Sequence, residues 1–341
     1  MTDPTMQDVA RVAGVGVATV DRVINRRAPV RSETAQRVLD AAEKLGFRRA
    51  GLIKRRIGEQ QRPIRLGYLL QDEHDLFYKE LGQALRHATQ DLHHPAGISE
   101  LVFMADFTPR KVVESLHKLA KSVDAIGLVA ADHPAIHQAI EELHAMGVPV
   151  FALISDLTTP NIAGYVGVDN RKMGRTAAWA MSKLCPRPGK LGLILGSHRY
   201  LCQEQCEISF RSFLRENTAN YQVLETMVSL EDRSLAQAAT LELIHCHPDL
   251  VGVYVAGGGI EGVLEAIKEA NMPDLITVCH DLTELTRQAL LDGLVTVVLS
   301  HPFEWIAQSL CNSMIRAMQG TEQLGKQNDS LPFTTYTIAN V

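Results

Sequence analysis

Apolar positions near the start of the chain fall at helical spacing in short blocks. Met6, Val9, Ala10 and Ala13 recur every three to four residues, stop at Gly14-Val15-Gly16, and resume at Val17, Val20, Val23 and Ile24. The spacing predicts two helices around a tight turn, a helix-turn-helix pattern. Thr5 can cap the first helix, Asp8 favours its positive end, and Gly14 supplies the left-handed backbone the turn needs. Helices this short require a third to cover them. Residues 32–45 supply it, with Ser32 as the expected cap, Ala35, Val38, Leu39, Ala42 and Leu45 as one apolar stripe, and Gly46 as the stop.

From Arg65 onward the pattern changes to short apolar runs separated by helical stretches. The runs at 64–70, 101–107, 124–131 and 148–154 lack polar alternation, as strands buried on both faces do. A second set follows at 164–168, 189–196, 250–257, 275–280 and 294–300. Such alternation predicts parallel sheets with crossover helices, and two successive groups predict two doubly wound lobes. The expected fold class is therefore an all-α helix-turn-helix head followed by an α/β body of two parallel-sheet lobes. Between head and body, residues 46–63 turn rich in Arg, Gln and Gly and end at a proline, so 49–62 reads as a linker after a head of 1–48. The polar run 321–330 reads as a loop before a last strand.

The chain has 341 residues, of which 46% are hydrophobic, enough for more than one sizeable core. Its formal charge of −5 conceals an asymmetry: residues 1–62 hold 13 Lys and Arg against 7 Asp and Glu, leaving 21 against 32 for the rest. A basic head on an acidic body suits a polyanion that touches the head alone, although charge by itself favours a solvated basic face. No apolar run reaches the roughly 18 residues needed to span a membrane, and the start MTDPTMQDVA lacks a signal peptide's apolar core, so a cytoplasmic protein is expected. The six cysteines are scattered without a C-x-x-C pair, which fits reduced, mostly buried thiols. No heptad pattern closes the chain, so a coiled-coil tetramer is not expected.

Two motifs carry a resemblance. D-V-A-x-x-A-G-V-x-x-A-T-V-x-R-V-I-N runs from Asp8 to Asn25, and T-x-x-R-V-x-x-A-A-x-x-L-G-F from Thr34 to Phe47. With them the chain resembles the LacI family of transcriptional regulators, closely over about the first sixty residues and more weakly beyond. The resemblance implies a repressor that binds near-palindromic double-stranded operators as a homodimer under the control of a sugar, polyol or related effector. It also implies a body like the type I periplasmic sugar-binding fold, in which the chain crosses three times between lobes. Carried onto this sequence, the first lobe takes about 63–157 and 294–320, the second about 158–293 and 321–341.

In the head, the resemblance and the helix pattern together nominate Thr5, Met6, Gly16, Val17, Ala18, Thr19, Asp21, Arg22, Asn25, Arg31, Thr34, Lys54, Arg55 and Arg56 for DNA contact. Val17 and Ala18 can pack on thymine methyls, and Arg22 can reach guanine or phosphate. Thr5, Thr19, Asn25 and Thr34 match positions that position the duplex through phosphates. Asp21 stands where the family has serine; it can accept from a cytosine amino group or pair with Arg22 or Arg26. In the linker, Arg49-Ala50 replaces the family's proline-asparagine pair and Arg56 replaces its minor-groove leucine, leaving Lys54, Arg55 and Arg56 to reach groove edges or phosphates.

In the body, ligands of open α/β sheets bind at the carboxyl ends of strands. That rule and the resemblance nominate Phe77, Tyr78, Asp132, Ser155, Gly258, Asp281 and Ser300 for the effector, with Asp156 and His301 beside them. Phe77-Tyr78 can stack on a sugar ring, and Asp132 and Asp281 match positions whose carboxylates accept from vicinal hydroxyls. Asp132 fits a helix cap equally well. Where relatives carry arginine, this chain has Ser155 and Cys206, and Gly257-Gly258-Gly259 and Ser300 replace further amide lining. These departures point to an altered ligand.

Three enzyme-like signals carry less weight. The run 255–262 lacks the spacing and lysine of phosphate-binding loops and fits a tight turn. Cys279-His280-Asp281 cannot form a triad, because neighbours on a strand face opposite ways. His198, Cys202 and Cys206 have helical spacing that could hold zinc, but no fourth ligand is evident. No metal, no cofactor and no enzyme activity are expected. The competing class is a soluble small-molecule sensor without specific DNA readout.

Overall fold

The computed structural model describes residues 4–25, 30–58, 63–92, 96–218, 220–319 and 327–341. Its head contains α1 (Met6–Ala13), α2 (Val17–Asn25), α3 (Ser32–Lys44) and α4 (Ala50–Gly58). Thr5 caps α1 through a reciprocal box: its hydroxyl accepts from the Asp8 N–H, and its own N–H donates to the Asp8 carboxylate at 3.0 Å. The Thr5 N–H and hydroxyl, both donating to the Asp8 carboxylate, hold it below the usual carboxylate range. Gly14 closes α1 in the left-handed region at φ 64°. Arg37, from α3, clamps the turn by donating to the Ala13 and Gly14 carbonyls at 2.5 and 3.2 Å. Changing Gly14 to alanine forces a Cβ into a left-handed backbone and to 3.0 Å from the Arg37 guanidinium. A loss of about 1–2 kcal/mol in head stability is expected, read as a lower midpoint in denaturant unfolding followed by circular dichroism.

The head core joins Val9, Ala10 and Ala13 to Val20, Val23 and Ile24, and to Ala35, Val38, Leu39 and Ala42, as the spacing predicts. Two local expectations need correcting. Ser32 is the first residue of α3 and not its cap, because the Arg31 carbonyl already accepts the first helical bond, from Ala35, at 3.0 Å. Within the expected linker, Ala50–Gly58 is helical and packs on α2 and α3, with Ile53 fully buried in the head core. Ile53, with the partly buried Ala50, seats on the head core a stretch whose composition reads as linker. The Arg55 and Arg56 side chains, Arg26, and residues 59–62 lie outside the described residues.

The body runs β1 (Ile64–Leu70), α5 (Leu76–Gln90), β2 (Gly97–Phe103), α6 (Pro109–Leu119), β3 (Ala125–Leu128), α7 (Pro134–Ala145), β4 (Val150–Leu153) and β5 (Gly164–Val168). It continues with α8 (Asn170–Leu184), β6 (Gly189–Leu195), α9 (Leu201–Asn217), β7 (Tyr221–Val223), β8 (Met227–Val228), α10 (Arg233–Cys246) and β9 (Leu250–Val255). Then come α11 (Ile260–Glu269), β10 (Ile276–His280), α12 (Glu284–Leu291), β11 (Val297–Ser300), α13 (Phe303–Met318), β12 (Gln327–Leu331) and β13 (Thr334–Tyr336). One sheet has the order β12-β5-β4-β3-β1-β2, the other β13-β11-β10-β9-β6-β7 with β8 also on β6. Neighbours β3–β4, β4–β5, β5–β12, β6–β9, β9–β10 and β10–β11 are parallel, and β13 closes its edge antiparallel to β11. These are two doubly wound α/β lobes.

Strand pairing moves the expected lobe limits. β5 pairs with β4 and belongs to the first sheet, where residues 158 onward were expected in the second lobe. β11 pairs with β10 in the second sheet, where 294–320 was expected in the first lobe, while α13 packs on the first sheet. Leu310 and Met314 of α13 fill the space that Gly127 in β3 leaves open, and Tyr68 meets the Cys311 sulfur at 3.2 Å. β12 joins β5, so part of the expected 321–330 loop is first-sheet strand; residues 320–326 lie outside the described residues. An apolar run specifies burial on two faces but not which sheet supplies its neighbours. The thiols of Cys185, Cys206, Cys279 and Cys311 are buried, Cys202 is half-buried, and Cys246 is exposed at the end of α10.

Candidate DNA interface and effector cleft

The core face of α2 is formed by Val20, Val23 and Ile24. Its other face leaves Val17, Ala18, Arg22 and Asn25 exposed. Thr19 and Asp21 are half-buried beside them. Asp21 accepts from the Asn25 amide at 2.6 Å, a partner that sequence reasoning did not name. Gly16 is exposed and its carbonyl accepts from Thr19 at 2.8 Å, opening α2. Thr5 and Arg31 are exposed, Met6 and Thr34 half-buried, and Met6 also packs against the head core. Lys54 is exposed and pairs with Glu43 at 3.6 Å, an exposed pair worth little on its own. Arg37 belongs to the second motif, but its clamp on the turn gave no signal of its own.

In the body, backbone strain marks the strand ends. Among the described residues, five non-glycine residues have left-handed φ, and four follow the carboxyl ends of strands: Ile154 (66°) after β4, Leu230 (54°) and Glu231 (62°) after β8, and Asp281 (64°) after β10. Each costs on the order of 1–3 kcal/mol and persists only where surrounding contacts impose it.

Asp281 is buried, and its Oδ1 accepts from the backbone N–H of His301 at 2.9 Å and from Nδ1 of the same residue at 2.7 Å. Burial alone would raise its pKa; the His301 imidazole and these bonds outweigh that and hold the carboxyl below its ordinary value. The His301 ring meets Phe77 edge-on at 5.6 Å, and Phe77 also contacts Phe303 and Tyr78. Ser300 is buried and accepts from the Leu282 N–H at 3.1 Å, so its hydroxyl shapes the loop after β10.

Asp132 is not a cap. His133 caps α7, its Nδ1 accepting from the Ala135 N–H at 3.1 Å. Asp132 accepts instead from the Thr158 N–H and hydroxyl at 3.0 and 2.9 Å, and lies 2.6 Å from Nε2 of His137. Partial burial opposes its ionisation, yet the Thr158 and His137 bonds hold its pKa below the ordinary value. The strand ends of the first sheet also meet the segment that opens α9. Gln71 donates to the Tyr200 hydroxyl at 2.6 Å, the Asp132 N–H to the Arg199 carbonyl at 2.9 Å, and the Cys202 N–H to the Ser155 hydroxyl at 3.4 Å. Two lobes therefore touch at the nominated positions.

Gly258 lies beneath a residue the sequence did not flag. A Cβ at Gly258 or at Gly196 would collide with the Glu231 carboxylate, so both glycines make room for it. Gln203 locks it, donating to Oε1 at 2.6 Å while its own oxygen accepts from the Gly196 and Ser197 N–H groups. Burial raises the Glu231 pKa, against the opposing bonds from Gln203 and Gly258.

The enzyme-like groups are engaged elsewhere. His280 lies 2.7 Å from the Tyr254 hydroxyl, and burial pushes its pKa down to about 4. Burial pushes the Cys279 thiol up. His198 lies 2.8 Å from a Glu207 oxygen, Cys206 donates to the Asn170 carbonyl, and burial pushes the Cys202 thiol up to about 12.

Residues 5–50 match the family model described as bacterial regulatory proteins, lacI family, and residues 67–322 match that of a periplasmic binding protein domain. The chain is 29% identical over 283 residues to the ribose operon repressor of Bacillus subtilis, 80% of either chain. It is also 29% identical over 159 residues to catabolite control protein A of Priestia megaterium, 46% of either chain, so the match spans about half of some relatives. A solute-binding protein of an Agrobacterium vitis ABC transporter, bound with α-D-tagatopyranose, superposes with a TM-score of 0.74 at 20% identity. That match covers 81% of this chain and 95% of the other.

Proposed function

Because the chain belongs to the lacI family of bacterial regulatory proteins, with a periplasmic binding protein domain behind its helix-turn-helix, we propose that it is a transcriptional repressor that reads near-palindromic operators as a homodimer. A small carbohydrate-like effector in the interlobe cleft controls it. The observation that carries this reading is the division of α2 between a buried face and a face where Val17, Ala18, Arg22 and Asn25 stand in solvent. On the operator, that exposed face would lie along the major groove, with Val17 and Ala18 on thymine methyls and Arg22 on guanine or phosphate. Exposed Thr5 and Asn25, with half-buried Thr19 and Thr34, would position the duplex through phosphates. In the body, Asp132, Asp281, Phe77 and Tyr78 would line the sugar site. An effector that binds one lobe arrangement more tightly shifts the dimer's population, and with it the presentation of the two heads.

Catalysis forms no part of this reading: His280 lies against the Tyr254 hydroxyl and Asp281 against His301, so the two are not arranged as a catalytic pair. No described helix is long and apolar enough to cross a membrane. Binding to operators, as proposed, would put the protein in the cytoplasm. Selection of genomic fragments on the purified protein, followed by sequencing, is expected to return a twofold-symmetric site. Its affinity should fall with salt at a slope of about −0.9 per phosphate neutralised. Arg22→Ala should cost about 1–3 kcal/mol at one base pair of each half-site if the side chain reads guanine, and should lower the salt slope by about 1 if it holds phosphate. Recovery of fragments with no preference over bulk DNA would sink the proposal.

A further inference from the structure

One charge on α2 is not explained by the fold of the head. Asp21 is the fifth of nine residues, too deep in the helix to cap it or to gain from its dipole, whereas Asp8 boxes the start of α1. Aspartate is also a poor helix former in such a position, and a side-chain bond one turn along returns only part of that loss. Nor does the charge help the head approach a polyanion, since it opposes the excess of Lys and Arg there. Yet Ala18, Asp21, Arg22 and Asn25 fall at i, i+3, i+4 and i+7, a single stripe opposite the buried Val20, Val23 and Ile24. The carboxylate stands on the side that would meet the duplex.

A second observation is geometric. Oδ1 of Asp21 accepts from the Asn25 amide at 2.6 Å, a bond that runs along this stripe for one helical turn. It sets the place of the carboxylate before a duplex arrives. A carboxylate carries about four acceptor sites, so accepting from Asn25 does not exhaust it, and the Asn25 amide has a second hydrogen with which to meet a phosphate.

What such a group can meet on DNA is narrow, because it only accepts. Phosphate oxygens, purine N7, guanine O6 and thymine O4 all repel it. The major groove offers donors from the amino groups of adenine and cytosine, and adenine sets its amino group beside the N7 acceptor. Cytosine alone presents a donor with no acceptor of its own next to it. Serine, which the family carries at this position, both donates and accepts and so suits a phosphate as readily as a base.

We propose that Asp21 is a base-reading residue: held by Asn25, its carboxylate accepts from the N4 amino group of one cytosine in each half-site. This deepens the operator reading above and rests on it. Sequences without that cytosine leave the carboxylate facing acceptors, and the repulsion is the means of discrimination.

The test takes the operator returned by fragment selection and measures binding of the full chain by fluorescence anisotropy at fixed salt. Each cytosine of the half-site is replaced in turn by 2-pyrimidinone, which lacks the N4 amino group and leaves the guanine opposite in place, and by 5-methylcytosine, which keeps the amino group. At one cytosine the wild type should lose about tenfold or more with 2-pyrimidinone and under about threefold with 5-methylcytosine. Asp21→Ser should shrink the first penalty to under about threefold, while its affinity for bulk DNA rises about threefold or more and its melting temperature stays in place. Asn25→Ala should weaken binding to every duplex and also cut that penalty about threefold. An Asp21→Ser protein that keeps the wild-type penalty and binds all duplexes more tightly makes the carboxylate a general brake on binding, which overturns the inference and leaves the operator reading intact. A wild type indifferent to 2-pyrimidinone at every cytosine does the same. A wild type with no preference for any fragment overturns both.

Discussion

Replacing Ile24 by alanine is expected to abolish operator recognition without touching the effector site. Ile24 is fully buried where α1, α2 and α3 meet, and deleting so much of a core side chain costs about 2–5 kcal/mol. A unit of this size has only about 3–8 kcal/mol to lose, at roughly 0.05–0.15 kcal/mol per residue. The head should therefore melt at or below working temperature, and operator affinity should fall by about a thousandfold or more, to the level of bulk DNA. Fluorescence anisotropy on operator and on scrambled duplex reads that loss. Effector titration on the same sample should be unchanged, since the body has cores of its own. A variant that kept its operator affinity within a few-fold would show that Ile24 does not organise the reading surface.

Replacing Asp281 by alanine should remove effector binding. Truncation deletes the acceptor for two His301 donors inside a buried pocket and places alanine at φ 64°, a region that Asp tolerates better. Hydrogen bonds to a charged group contribute about 1.5–3 kcal/mol each, so effector affinity should fall at least a hundredfold. Asp281→Asn retains an oxygen and a backbone-tolerant side chain, and should lose about tenfold while folding normally. The two variants separate charge from shape. Because the folded pKa of Asp281 is lowered, its contribution to stability is present above the unfolded value of about 3.9 and fades as pH falls through the lower folded value. Acid unfolding of the wild type should therefore steepen below about pH 4, a feature absent from Asp281→Asn. A full thermal shift by effector in the alanine variant would remove Asp281 from the site.

The legible parts of this chain are those that a short stretch specifies by itself. Helix periodicity at Val9, Val20 and Val38 finds the head core, because all of these face inward at fixed spacing. Apolar runs find most body strands, but β2 begins four residues before its predicted run at 101–107, the polar β12 reads as loop, and the three residues of β7 and two of β8 are too few to register. What escaped depends on partners distant in sequence. β5 and β11 look alike as sequence, and only ladder formation assigns them to different sheets. Ile53 is one residue in a basic stretch, and its burial depends on the groove offered by α2 and α3. Asp281 and His301 both stood at strand ends, but their mutual bond follows from the parallel pairing of β10 with β11. Glu231 had no signature at all: two successive left-handed residues turn its side chain into the space kept by Gly196 and Gly258, and neither residue type forecasts that backbone.

The uneven shielding of the thiols offers an optical handle. With its four buried sulfurs protected and Cys202 partly so, a maleimide dye will settle first on Cys246. That position closes a rod of 14 residues, about 21 Å long, whose opposite end begins two residues after Glu231. Emission from one fluorophore can thus follow occupancy of the cleft from a distance, with no label in the sugar's way.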